Sequence, residues 1–200
     1  MIAPTWKSKC GTVQLWFGDN IELMRTISEK AVKAVIADPP YGINYGRAGR
    51  FIASDGWGKW RENVKWDEQR PPKEAFDLML KISEQQIIWG GNYFTDYLPP
   101  TMQWLMWDKG QRDFSLADFE IAWSSNWNAS RVFTYSRGAA NCEDKHHPTK
   151  KPVALMEWCL KFVKPGLVLD PYLGSGSTGI ACIRSGRPFW GFENDASYWP

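Results

Sequence analysis

The sequence predicts an α/β protein, a doubly wound, mostly parallel sheet with an antiparallel hairpin at one edge. Three observations predict it. Apolar runs of strand length stop repeatedly on an acid, at Asp19, Asp38, Asp170 and Glu193. Stripes of helical period stand between several of these runs, which is the alternation of a parallel sheet with crossover helices. A glycine-rich turn over residues 174–179 joins one strand to an apolar helix, and open α/β sheets bind ligands at that carboxyl edge.

Residues 12–17 alternate and then turn apolar, ending on Gly18 and Asp19, as a strand does. Residues 20–27 place Ile21, Leu23, Met24 and Ile27 on one helical stripe, with Asn20 expected as N-cap. The next run, Val35-Ile36-Ala37, is a buried strand that stops on Asp38-Pro39-Pro40-Tyr41. Each proline fixes its own φ and forces an extended residue before it, so the Asp38 side chain and the Pro39 carbonyl are held side by side as a preset pair of acceptors. Such a pair suits an exocyclic amino group on a nucleobase, whose N–H donors must be held before its nitrogen can act as a nucleophile. Tyr41 offers a flat face for a base flipped out of its helix. The plain reading of the same residues is a strand that ends in a Pro-Pro turn with a surface acid.

Residues 42–72 lose all periodicity. They interleave Arg47, Arg50, Lys59, Arg61, Lys65 and Arg70 with Tyr45, Phe51, Trp57, Trp60 and Trp66. Cations suit phosphates and rings suit bases, so this segment is expected to be a mobile DNA-binding loop that orders on the nucleic acid. Asp55, Glu62, Asp67 and Glu68 dilute the charge, and an ordinary solvated loop is the alternative.

A helix is expected over 72–83 with Ala75, Phe76, Leu78, Met79 and Ile82 inward, then a strand over 86–89 and a short helix over 93–97. Strands over 102–107, 119–123 and 131–135 follow, with residues 126–128 turning between the last two. No helix separates these strands, so they predict the antiparallel hairpin. Pro152 opens a helix whose stripe is Val153, Met156, Leu160 and Val163. Residues 167–170 form a strand that leads through Pro171 and the glycine turn into a helix over 178–184, and a last strand over 188–192 ends on Glu193. In the glycine turn the backbone can approach a ligand closely, and the helix N-terminus offers N–H groups to an anion. Taken alone, Gly174, Gly176 and Gly179 also match a dinucleotide fingerprint, so a nicotinamide enzyme is a rival, whereas a P-loop fails for want of a following Lys.

Composition sets outer limits. Two hundred residues at 44% hydrophobic content can bury one core, which predicts a single domain over 1–200. No apolar run nears the ~20 residues that cross a bilayer, and the N-terminus has no signal pattern. A soluble, cytoplasmic protein is expected. Cys10, Cys142, Cys159 and Cys182 form no Cys-x-x-Cys pair, so reduced thiols and no metal site are expected. A net charge of +2 does not announce a nucleic-acid binder, but thirteen tryptophans exceed what a core needs and leave some for stacking.

These motifs together carry a resemblance. Asp38-Pro39-Pro40-Tyr41 resembles the catalytic tetrapeptide of S-adenosylmethionine-dependent DNA amino-methyltransferases, and its Asp-first form is more similar to the N6-adenine branch than to the N4-cytosine branch. His147-Pro148-Thr149-Lys150-Lys151-Pro152 resembles the family's His-Pro-Thr-x-Lys-Pro motif at the methionine end of the cofactor. Asp170-Pro171-Tyr172-Leu173-Gly174-Ser175-Gly176-Ser177-Thr178 is similar to its cofactor loop, with Ser177 where Thr is usual. Glu193 falls where the family bonds the ribose hydroxyls, and Asp19 where it contacts the adenine amino group. The cofactor loop follows the catalytic strand in the chain, which is the circularly permuted order of the β-type members.

The resemblance implies a class I methyltransferase fold and methylation of adenine N6 in double-stranded DNA with a flipped target base. The same chemistry on cytosine N4 or on RNA is the near alternative, and a catalytically idle nucleic-acid-binding relative is the distant one. It implies Asp38, Pro39, Pro40 and Tyr41 as catalytic residues. Implied contacts to S-adenosyl-L-methionine are Asp19, Asp38, Thr149, Lys151, Pro152, Asp170, Pro171, Gly174, Ser175, Gly176, Ser177, Thr178 and Glu193. Target recognition falls to residues 135–146, a short segment that predicts a short or relaxed recognition sequence, with or without a restriction endonuclease partner. The family's usual helix beyond the ribose-binding acid has no counterpart before Pro200.

Overall fold

A computed structural model of the protein describes residues 2–44, 67–112, 117–136 and 151–196. Among these the strands are β1 (Trp6–Lys7), β2 (Val13–Phe17), β3 (Val32–Ala37), β4 (Ser83–Trp89), β5 (Trp104–Asp108), β6 (Phe119–Ser124), β7 (Arg131–Thr134), β8 (Val168–Asp170) and β9 (Phe189–Glu193). They form one sheet in the order β1-β2-β9-β8-β3-β4-β6-β5-β7. Strands β2, β9, β8, β3 and β4 run parallel, and β1 and β6 join them antiparallel at either side. β8 and β9, late in the chain, lie between the early strands β2 and β3.

Both faces of the parallel part are covered, which is why its strands read as unbroken apolar runs. In β3 the period of two sends Ala34 and Ile36 to one face and Val35 and Ala37 to the other. The first pair meets α3 (Val153–Cys159) and α4 (Ser177–Arg184) through Leu155, Met156, Cys159, Ala181 and Cys182. The second meets α1 (Asn20–Arg25) and α2 (Lys73–Ile82) through Leu23, Met24, Phe76 and Met79. No helix among the described residues is long and apolar enough to cross a membrane. Cys10, Cys159 and Cys182 are free thiols.

Three local expectations change. The N-cap of α1 is Asp19, whose Oδ1 accepts from the Ile21 and Glu22 amides; Asn20 is the first helical residue. A carboxylate serves this position better, since it also meets the positive end of the helix. The helix expected over 93–97 is instead a single 3-10 turn, Gly91–Tyr93, entered through Gly90 at φ 66°. The antiparallel hairpin is made by β5 and β6, but β7 pairs in parallel with β5. β4 already occupies the far edge of β6, so the chain can add a further strand only at the open edge of β5.

Candidate active site

The carboxyl ends of β2, β3, β8 and β9 open on one cavity of about 210 Å³. Asp38, Pro40, Lys151, Asp170, Pro171, Gly174, Ser175, Ser177, Thr178 and Glu193 line it, so two regions remote in sequence meet there.

On the β8 and β9 side, Asp170 is 3% exposed and accepts from the Tyr172 amide at 3.0 Å. Burial raises its carboxyl to about 7. The loop beyond it turns at Gly174 (φ 48°) and at Gly176 (φ 75°), the residue before α4, both in the left-handed region that favours glycine. Glu193 is oriented by three amides: Oε2 accepts from Gly174 at 2.8 Å, and Oε1 from Asn194 and Asp195 at 2.9 Å each. Two donors on Oε1 saturate its lone pairs, so Oε2 keeps the remaining acceptor site. Asn20 Nδ2 ties the end of β2 to the Pro171 carbonyl at 3.0 Å. Two cavity-lining residues, Tyr172 and Trp89, carry buried donors, OH and Nε1, with no well-formed hydrogen bond among the described residues; Asn20 stands beside the first and Cys159 beside the second. Buried polar atoms of this kind call for a ligand or water.

On the β3 side, both oxygens of Asp38 are engaged. Tyr41 OH donates to Oδ1 at 2.7 Å and Lys151 Nζ to Oδ2 at 2.7 Å. Lys151 also reaches Tyr41 OH at 3.2 Å and Glu120 Oε2 at 3.0 Å. Burial works against the Lys151 charge, yet Asp38 and Glu120 beside it hold its ammonium protonated well above the ordinary lysine range. Burial and the Asp38 charge push the Tyr41 phenol up, so it stays a donor. Burial disfavours the Glu120 charge, but Lys151 and Lys109 outweigh it and hold the carboxyl down at about 2.

The Tyr41 turn is fixed from behind. Asp67, 1% exposed, accepts the Tyr41 and Gly42 amides on Oδ1 at 2.8 and 2.9 Å. The Tyr41 ring stacks on Tyr93, centroids 4.8 Å apart and 19° between planes. It also lies so close to Gly90 that a Cβ there would stand 2.1 Å from a ring carbon. The ring face expected to receive a base is therefore shared with Tyr93, whose own ring is partly exposed.

Pro39 and Pro152 are buried beside the cavity without lining it, and Gly176 and Tyr41 stand just outside its wall. Asp19 is exposed and caps α1, while its neighbours Gly18 and Asn20 line the cavity in its place. Thr149, the rest of the His-Pro-Thr motif before Lys151, residues 45–66 of the basic loop and residues 137–146 of the recognition segment lie outside the described residues. Sequence reasoning missed Glu120, Lys109, Asp67 and Trp89. Glu120 left one signal, a charge sharing the inward phase of its strand with Ala122. Asp67 left none, being one acid in a polar loop.

The DNA methylase family model of N6 and N4 methyltransferases matches residues 88–200. YubD of Escherichia coli strain K12, a methylase by name, is 26% identical over 193 residues, covering 88% of this chain and 82% of its own. Among solved structures, the PvuII DNA methyltransferase, cytosine-N4-specific, superposes with a TM-score of 0.64 at 16% identity, over 98% of this chain and 86% of that one. M1.HpyAVI, solved as a complex with SAM, gives 0.57 at 20% identity, over 93% and 95%. These two likenesses are likenesses of fold.

Proposed function

The chain belongs to the N6/N4 DNA methylase family, and from that premise we propose that it transfers a methyl group from S-adenosylmethionine to the N6 amino group of adenine in double-stranded DNA. The observation that carries the reading is Asp38, standing at the end of β3 on the rim of the cavity with its carboxylate oriented by Tyr41 and Lys151.

The cavity suits the cofactor. Glu193 Oε2 has an acceptor site for a ribose hydroxyl, and Asp170 is a buried acid able to meet an ammonium. The loop at Ser175, Ser177 and Thr178 presents hydroxyls and the start of α4, while Tyr172 OH and Trp89 Nε1 are donors in want of acceptors. When bound, S-adenosylmethionine supplies an electrophilic methyl on a sulfonium.

Asp38 and the Pro39 carbonyl receive the two N–H groups of the target amine and turn its nitrogen lone pair toward the methyl. Nitrogen gains the N–C bond and the C–S pair returns to sulfur. The proton then leaves the cationic nitrogen for Asp38, which is one-third exposed and passes it to water. Asp38 needs no strong basicity beforehand, because the nitrogen becomes acidic on methylation. Lys151 supports Asp38 from behind; its three protons face Asp38, Glu120 and Tyr41 OH, all acceptors of the protein itself. A base stacking on Tyr41 displaces Tyr93 from the face it covers.

The Asp-first tetrapeptide supports adenine. The second reading is cytosine N4, whose amine presents the same two donors. Incubation with labelled S-adenosylmethionine and DNA, followed by nucleoside digestion, separates them. N6-methyladenine is expected, N4-methylcytosine would select the second reading, and no label would leave a DNA-binding relative without transfer.

A further inference from the structure

Lys151 stands between two acids. Its Nζ lies 2.7 Å from Asp38 Oδ2 and 3.0 Å from Glu120 Oε2, on a side chain only 8% exposed. Glu120 belongs to β6, on the antiparallel side of the sheet, and its Oε1 is 2.6 Å from Lys109 Nζ just past β5. Charges therefore alternate along a line from Lys109 through Glu120 and Lys151 to Asp38, and Tyr41 OH bridges the last two. Asp170 faces the same centre from β8, and Glu193 lies beyond it.

A buried ion pair adds little to stability compared with apolar residues of the same size, so this row of charges is poorly explained as reinforcement of the hairpin, which has its own ladder. What it does determine is where the Lys151 ammonium sits. Nζ is already in contact with Oδ2, and without Glu120 a second ammonium proton would be free to turn onto a remaining acceptor site of Asp38. Shared between two acids, the ammonium gives Asp38 one proton, on Oδ2, and each Asp38 oxygen keeps one acceptor site on a side chain that is one-third exposed.

Resting on the reading that Asp38 receives the target amine, we propose that Glu120 is a positioning residue for methyl transfer, holding Lys151 between two carboxylates so that Asp38 is both fixed in orientation and open to the amine. Through Glu120 and Lys109 the β5–β6 hairpin becomes part of the catalytic apparatus.

Two measurements test this. The first is a stability cycle of Asp38→Asn, Glu120→Gln and the double variant by denaturant unfolding. Each single variant leaves Lys151 one carboxylate, and the double variant leaves a buried ammonium with none, so the double loss should exceed the sum of the single losses. Additive losses overturn the clamp, and this readout does not depend on activity. The second is single-turnover transfer by Glu120→Gln. The rate should fall about tenfold or more while affinities for S-adenosylmethionine and DNA stay within about twofold, and Glu120→Asp should recover part of the rate. A Glu120→Gln rate equal to wild type, or one that falls only in step with cofactor affinity, overturns the positioning role. If wild type transfers no methyl to DNA, the functional reading falls, and the stability cycle still decides whether the clamp exists.

Discussion

At the scale of single residues, Asp38 and Asp170 do opposite things with a carboxylate. Asp38 is one-third exposed and paired with Lys151, whereas Asp170 is buried and accepts from the Tyr172 amide. Asp38→Ala should abolish methyl transfer yet leave the thermal shift on adding S-adenosylmethionine largely in place, since on the proposed reading it faces the target amine more than the cofactor. Turnover within about tenfold of wild type would remove Asp38 from the mechanism. Asp170 makes a prediction about pH. Its folded value of about 7 stands above the ordinary 3.8 because burial disfavours its charge. Between those values the folded protein holds a proton that the unfolded chain has released. The cofactor-free protein should therefore lose stability as pH rises through that window, with the contribution flat above it. Asp170→Asn should flatten this part of the profile in denaturant titrations at several pH values; an unchanged slope would assign it to other groups.

At the scale of elements, the sheet was legible wherever one residue pattern determines one structure. The burial of β3 on both faces and the stripes of α2 and α3 follow from apolar spacing, and the four acid-ended strands meet at one cavity. What the pattern could not carry was pairing across distance. Nothing in residues 131–134 says that β7 runs parallel to β5, because that depends on β4 having taken the edge of β6. The same holds at the site: Asp38 and Tyr41 were legible in a tetrapeptide, but Glu120, Lys109 and Asp67 act through contacts between remote segments. The turn at Gly90 shows how strictly one element serves another. Its φ of 66° and its approach to the Tyr41 ring both exclude a side chain. Gly90→Ala should cost about 1–3 kcal/mol from the backbone alone and should also push Tyr41 off Asp38, so that transfer falls more than the melting temperature predicts. Normal rates in this variant would show that the Tyr41 position is not critical.

At the scale of the molecule, the described residues on either side of the basic segment are tied to the Tyr41 turn. The Asn44 amide donates to the Asp67 carbonyl at 3.0 Å, and Arg70 reaches the Tyr93 carbonyl, Asp96 and Tyr97, so the described ends of the loop are tied to each other and to the turn that carries Tyr41. Residues 45–66, outside the described residues, carry the cations expected from the sequence to contact phosphates. Neutralising Arg47 and Arg50 should weaken DNA binding alike on all sequences and flatten its salt dependence, as measured by fluorescence anisotropy across a salt series. A loss confined to one sequence would make these residues base readers instead.

The place of β8 and β9 in the sheet has a consequence for how the protein is made. β2 and β3 leave the ribosome before β8 and β9 but do not touch; the two strands that fill the gap between them are translated later. Until then the nascent chain exposes two open strand edges facing an empty slot, a condition that invites wrong pairing. These later strands fill the gap in the sheet and bring Asp170 and Glu193 with them. A chain synthesised only through β7 thus holds Asp38 but lacks the wall that Asp170 and Glu193 give the cavity, and the cavity can form only when that gap in the sheet is filled.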